Sequence, residues 1–139
     1  HHNGQIVSVE ISPRMMRDLS KLSELRPGLI PVLGDARKPT VISPYLRDKV
    51  DWIHQDISVA EQTKSFLNIS EIFLKPKGIG LLSLKAASER WMEGGDDSRF
   101  KEAEKMINLS ESVTLLENID ISHFESQHRI FVVQKISES

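Results

Sequence analysis

GQIVSVEISPRMMRDLS, residues 4–20, is the stretch that decides the fold. Gln5-Ile6-Val7-Ser8-Val9-Glu10 reads as a short strand of β-branched residues that stops on a carboxylate. Ser12 then suits a helix cap, and Pro13 suits the first helical position, where a missing N–H costs nothing. Met15, Met16, Leu19, Leu22 and Leu25 recur at helical spacing and predict one apolar stripe. Pro27-Gly28 closes the helix. A strand running directly into a helix is the first part of a β-α-β unit.

The rest of the chain repeats the alternation. Leu29 to Leu33 is a second strand, closing at Gly34-Asp35-Ala36-Arg37, and Val41 to Arg47 reads as loop with some helix. Val50 to Gln55 is a third strand, closing at Asp56. Ala60 to Leu74 predicts a helix that packs through Phe66, Ile69, Ile72 and Phe73. Pro76-Lys77-Gly78 predicts a turn into the strongly apolar strand Ile79 to Lys85. Beyond a polar loop, Glu93 to Asp97, come a helix from about Ser98 to Asn108 and strands Ser112 to Asn118 and Arg129 to Lys135. Strands alternating with helices imply a mostly parallel α/β sheet. The last two strands have no helix between them, which implies an antiparallel excursion. This layout resembles that of Rossmann-like methyltransferases, which implies such a sheet here.

Composition bounds the class. At 139 residues the chain suits one domain, 1–139, with one core. No apolar run approaches the roughly 18 residues that cross a bilayer. Without cysteine there are no disulfides or thiolate metal sites. The formal net charge is −2, whereas a chain that gripped RNA alone would carry a positive surplus. His1 and His2 fit either a tag remnant or loop sequence and are set aside.

Three strands end on acids: Glu10, Asp35 and Asp56. In open parallel sheets ligands bind beyond the carboxyl ends of the strands. A carboxylate there can accept hydrogen bonds from a ribose diol or from an exocyclic amine. Acids in such places also serve as caps and solvated loop residues. The pattern alone leaves open whether the nucleoside belongs to a nicotinamide cofactor or to S-adenosylmethionine.

Five stretches together resemble fibrillarin, the family of S-adenosylmethionine-dependent RNA 2′-O-methyltransferases. They are VSVEISPRMMRDL, LIPVLGDARKP, VDWIHQDIS with Gln62 following, FLKPKGIGLLSLKA, and HFESQHRIFVV, and the resemblance runs from about Gly4 to Gln134. Without an Arg/Gly-rich tail, the chain looks like the archaeal, cytoplasmic form more than the nucleolar one. The resemblance implies that Glu10 and Ile11 hold the cofactor's ribose and adenine face, that Asp35 and Ala36 contact the adenine edge, and that Asp56, Ile57, Ser58 and Val59 lie beside its methionine part. It implies a reaction centre of Asp56, Lys85 and His128, with no metal. That chemistry is coherent: a lysine stabilises a developing ribose alkoxide, a carboxylate orients it, and in-line transfer depends on positioning.

The chain also departs from the family pattern. Asp-Val-Ala-Gln-Pro reads Asp56-Ile57-Ser58-Val59-Ala60, the acid before the histidine is Gln127, and Lys-Ala-Arg reads Lys85-Ala86-Ala87. The family's first strand and Gly-rich turn, a small N-terminal β region and a further lysine have no counterpart. In the family's strand order the missing strand separates Gln5–Glu10 from Val50–Gln55, so both are expected to keep an unpaired edge. The expectation is a partial methyltransferase domain, N-terminally truncated, or one completed by another chain.

The implied function is ribose 2′-O-methylation of rRNA, and of tRNA in archaea, directed by box C/D guide RNA as part of pre-rRNA processing. The implied partners are a Nop-type scaffold and a kink-turn-binding protein, with no membrane. Arg14, Arg17, Arg37 and Lys38 are candidate contacts to scaffold or RNA, or simply solvated charges. Two rivals stand beside this reading: a non-catalytic subunit of the same particle, and another nucleoside-cofactor enzyme such as a dehydrogenase.

Overall fold

A computed structural model describes residues 4–56, 61–85, 95–121 and 128–137. The chain falls into two compact units, His1–Asp48 and Lys49–Ser139.

The first unit is a β-α-β hand: β1 (Ile6–Glu10), α1 (Pro13–Leu25) and β2 (Leu29–Leu33), followed by a short α2 (Pro39–Ile42) and a 3₁₀ turn at Ser43–Tyr45. β1 and β2 are parallel, in register from Ile6 opposite Leu29 to Glu10 opposite Leu33. The local chemistry works as the sequence implies. Pro13 opens α1, and Ser12 Oγ accepts from the Met15 N–H at 3.4 Å. Gly28 ends the turn at φ +95°, and a Cβ there would lie 2.5 Å from the Gly4 carbonyl oxygen, so only glycine fits. The predicted stripe on α1 is only partly covered. Met16 and Leu19 are half-buried, whereas Met15, Leu22 and Leu25 are exposed. A two-stranded sheet is too narrow to cover a 13-residue helix, and Val32 is the only fully buried apolar residue among those described in this unit.

The second unit contains β3 (Val50–Gln55), α3 (Gln62–Phe73), β4 (Leu74–Lys85), α4 (Gly95–Leu109), β5 (Val113–Asp120) and β6 (His128–Lys135). Its sheet has the order β3-β4-β6-β5. β3 and β4 are parallel, and β6 inserts antiparallel between β4 and β5, the excursion expected from the missing helix. The core joins Phe66 of α3, Leu82 and Leu84 of β4, Phe100, Ala103 and Ile107 of α4, and Val113, Phe131 and Val133 of the last strands.

Three details differ from the sequence expectation. Ile72 is exposed, because it falls off the 66, 69, 70, 73 row that faces the sheet. β4 starts at Leu74, without a free turn at Pro76-Lys77-Gly78. Those residues form an irregularity inside the strand: the register jumps from Val50 opposite Leu74 to Trp52 opposite Ile79, and Lys77 takes φ +67°. α4 begins at Gly95 rather than Ser98.

α3 has an unforeseen clamp at its carboxyl end. Lys135, 9% exposed, reaches from β6 and donates to the Glu71 carbonyl at 2.6 Å and the Ser70 carbonyl at 3.3 Å. A cation there satisfies orphan carbonyls and favours the negative end of the helix dipole. Lys135→Met is expected to cost about 1.5–3 kcal/mol, the range for hydrogen bonds to a charged group; urea unfolding checks it.

Among the described residues β1 pairs only with β2 and β3 only with β4, so each keeps one unpaired side. Neither α1 nor any other described helix is long and apolar enough to cross a membrane.

Candidate functional site

In the first unit, two acids stand at the carboxyl ends of adjacent parallel strands. Glu10 ends β1, and its carboxylate Oε1 accepts from the Ser12 N–H at 3.0 Å. Its main-chain carbonyl accepts from the Gly34 N–H at 3.0 Å, which ties the end of β1 to the turn that carries Asp35. Among the described residues nothing hydrogen-bonds Glu10 Oε2, so that oxygen can receive a ribose hydroxyl. Ile11 is 59% exposed and Ala36 half-buried.

Asp35 is differently placed. The Arg37 N–H donates to Oδ1 at 2.9 Å, Nε to Oδ1 at 3.0 Å and to Oδ2 at 3.2 Å, and Nη2 to Oδ2 at 2.7 Å. A carboxylate offers about four acceptor sites, and Arg37 fills them. An exocyclic amine would reach Asp35 only by displacing that guanidinium. Sequence reasoning treated Arg37 as a surface charge. The signal that would have found the tie is Asp-x-Arg after a strand, where Asp bonds the backbone two residues on.

The side-chain and backbone hydrogen bonds from Arg37 hold the Asp35 carboxyl below its usual 3.8, at about 2. The depressed value means that the tie stabilises the fold above pH 3.8 and loses that contribution as pH falls through about 2. Arg37→Ala is expected to bring the Asp35 midpoint, read by carboxyl NMR, back up towards 3.8. A midpoint that stays low without the arginine would exclude the tie.

In the second unit, strand register gathers the proposed reaction centre at one end of the sheet. Lys85, the last residue of β4, lies directly opposite His128, the first residue of β6. Asp56 follows Gln55, whose partner on β4 is Leu82. All three therefore stand where β3 and β4 end and β6 begins. Lys85 and Asp56 are exposed and His128 half-buried. Beside His128, Arg129 is held on the core face by the Asn118 side chain at 3.1 Å, Asp120 at 3.7 Å and the Phe100 ring, 5.4 Å to its centroid. That anchors the start of β6. Ile57, Ser58 and Val59 lie outside the described residues.

Two neighbours escaped the sequence reading. Gln55 is buried, and its Nε2 donates to the Gln62 carbonyl at 2.8 Å, joining the end of β3 to the start of α3. His54 Nε2 lies 3.0 Å from Ser83 Oγ across β3 and β4. The His54 contact depends on the register of β3 against β4, and the Gln55 bond on where α3 begins relative to the end of β3. Among the described residues no group of three or more His, Asp or Glu could hold a metal. Arg14, Arg17 and Lys38 are exposed.

The family model for fibrillarin matches residues 1–137. The chain belongs to the fibrillarin family. A fibrillarin-like rRNA/tRNA 2′-O-methyltransferase of Pyrococcus abyssi is 35% identical over 132 residues, 95% of this chain and 56% of that protein. The fibrillarin fold recurs in a solved fibrillarin/Nop5p complex, with a TM-score of 0.86, 28% identity, and coverage of 96% of this chain and 62% of that one. It recurs in Aeropyrum pernix fibrillarin with natively bound S-adenosyl-L-methionine, with a TM-score of 0.77, 27% identity, and coverage of 94% and 55%. The chain thus spans a little over half the length of these fibrillarin relatives.

Proposed function

We propose that this chain is part of an RNA ribose 2′-O-methyltransferase that uses S-adenosylmethionine. The observation that carries the reading is the Lys85–His128 pairing beside the end of β3, in a chain that matches fibrillarin almost throughout. In the first unit, Glu10 Oε2 suits a ribose hydroxyl, Ile11 offers an exposed apolar surface for the adenine, and Asp35 with Ala36 suits the adenine edge once Arg37 yields. Asp56, with Ile57, Ser58 and Val59, is proposed for the methionine half. When bound, S-adenosylmethionine supplies an electrophilic methyl on a sulfonium.

The chain's own residues supply the rest. A ribose 2′-hydroxyl is a poor nucleophile because it holds its proton tightly. The Lys85 ammonium stabilises negative charge as it develops on that oxygen. Asp56 orients the lysine and the hydroxyl, and His128, opposite Lys85, orients the ribose or helps the proton leave.

The target is proposed to be rRNA or tRNA, the substrates named for the Pyrococcus abyssi relative. A Nop-type scaffold is the proposed partner, supported by the similarity to the fibrillarin of the Nop5p complex. A kink-turn-binding protein and a box C/D guide RNA complete the proposed particle. A net charge of −2 suits an enzyme whose RNA is delivered by partners.

Calorimetric competition separates this reading from a nicotinamide enzyme. S-adenosylhomocysteine is expected to bind with micromolar affinity, about −8 kcal/mol, and NAD to leave that binding unchanged. Binding of NAD, with no binding of S-adenosylhomocysteine, would contradict the reading.

A further inference from the structure

The end of β3 is fastened on both faces. β3 is an edge strand with β4 as its one neighbour among the described residues, so its last residues are backbone-paired on one side only. On the helix-facing side, Gln55 ties it to the start of α3 at 2.8 Å. On the opposite side, His54 Nε2 meets Ser83 Oγ at 3.0 Å. Ser83 is 7% exposed, and a hydroxyl so enclosed within a strand needs a partner. His54 stands opposite Leu81, so its ring leans two residues forward along the parallel pair, on the same face of the sheet, to reach Ser83.

The place of this pair gives it meaning. Side chains two apart on a strand share a face. Lys85 therefore stands on the same face as Ser83, one step nearer the strand end, and Asp56 follows His54 by the same interval. Across β6, Ile130 lies opposite Ser83 and His128 opposite Lys85. The His54–Ser83 bond thus crosses β3 and β4 immediately below the point where Asp56 and Lys85 emerge.

We propose that His54 and Ser83 are positioning residues for Lys85 and Asp56: their hydrogen bond sets the spacing of the two strand ends and so the direction in which the lysine faces the carboxylate. The catalytic part of this inference rests on the methyltransferase reading above. The positioning part does not, and it is tested separately. In the full chain, the side-chain ε-methylene NMR signals of Lys85, assigned with Lys85→Arg, are expected to shift in His54→Ala and in Ser83→Ala. The double variant is expected to shift no further than either single one, because one bond is lost in all three. His54→Gln, long enough to reach Ser83 Oγ, is expected to restore the original signals. Lys85 signals that do not respond to either alanine variant, or shifts that simply add, would overturn the proposal. Amide signals beyond β3 and β4 report whether each variant is folded.

With the chain assembled with its partners and guide RNA, His54→Ala is expected to lower kcat for methyl transfer about tenfold, leave KM for S-adenosylmethionine unchanged, and recover in His54→Gln. A rise in KM with unchanged kcat would overturn the catalytic part. If the unaltered protein transfers no methyl group, the methyltransferase reading fails, and the Lys85 signals still decide whether the pair positions that residue.

Discussion

Lys85→Ala is expected to lower methyl transfer about 10²–10³-fold, the cost of removing one donor aimed at a developing oxyanion, while S-adenosylmethionine binding and particle assembly persist. Lys85 is exposed at the end of β4, and its partner across the sheet is held by backbone pairing that alanine preserves. Truncation should therefore change stability by no more than about 0.5 kcal/mol. The separation of effects matters because a non-catalytic subunit of the same particle would also assemble normally. Methyl transfer measured with labelled cofactor in the assembled particle distinguishes them. Full activity without Lys85 would remove it from the reaction centre.

Phe66→Ala is expected to be the most destabilising single substitution in the second unit, at about 3–5 kcal/mol. Phe66 is fully buried, and its ring fills the space above Gly80 of β4. A Cβ on Gly80 would lie 2.8 Å from Phe66 Cζ and 3.0 Å from Val133 Cγ2, and Val133 is also fully buried. Gly80→Ala alone should therefore overpack the core and cost about 1–3 kcal/mol. In the Phe66→Ala background it should cost less, since the ring it strikes is gone. Urea unfolding of the two single variants and the double one measures this coupling. Additive losses would mean that the ring and the glycine are not matched.

The strand and helix boundaries in the first unit and at β3 were legible because they rest on local chemistry. Ser12 and Pro13 before an apolar stripe start a helix, Gly28 supplies its left-handed stop, Ile6, Val7 and Val9 mark β1, and Val50, Trp52 and Ile53 mark β3. The antiparallel place of β6 was legible from the missing crossover helix. What escaped depends on contacts distant in sequence. Pro76-Lys77-Gly78 reads as a turn, yet pairing with β3 extends β4 back to Leu74 and makes those residues an irregularity within it. Ile72 reads as core, yet the helix turns it outward.

The candidate site divides in the same way. The acids at strand ends were visible as residue types, and resemblance to fibrillarin gave them roles. That Arg37 occupies Asp35 was only partly visible: Asp-x-Arg spacing signals the bond to the Arg37 backbone, whereas a surface guanidinium has many possible partners. That Lys85 lies opposite His128, 43 positions later in the sequence, required the register of β4 against β6. His54 and Ser83 meet for a similar reason: only the parallel pairing of β3 and β4 brings them together.

Methyl transfer to a ribose 2′-oxygen leaves a chemical mark on the RNA. Alkaline hydrolysis of a guide-matched RNA, after incubation with the assembled protein and S-adenosylmethionine, reads that mark. RNA cleaves in alkali through its 2′-alkoxide, so a methyl on that oxygen protects one linkage. A single resistant linkage is expected at the guide-paired nucleotide, absent without cofactor and absent with Lys85→Ala. A ladder cleaved at every position, or methyl incorporated on a base with the linkage still cleavable, would contradict it.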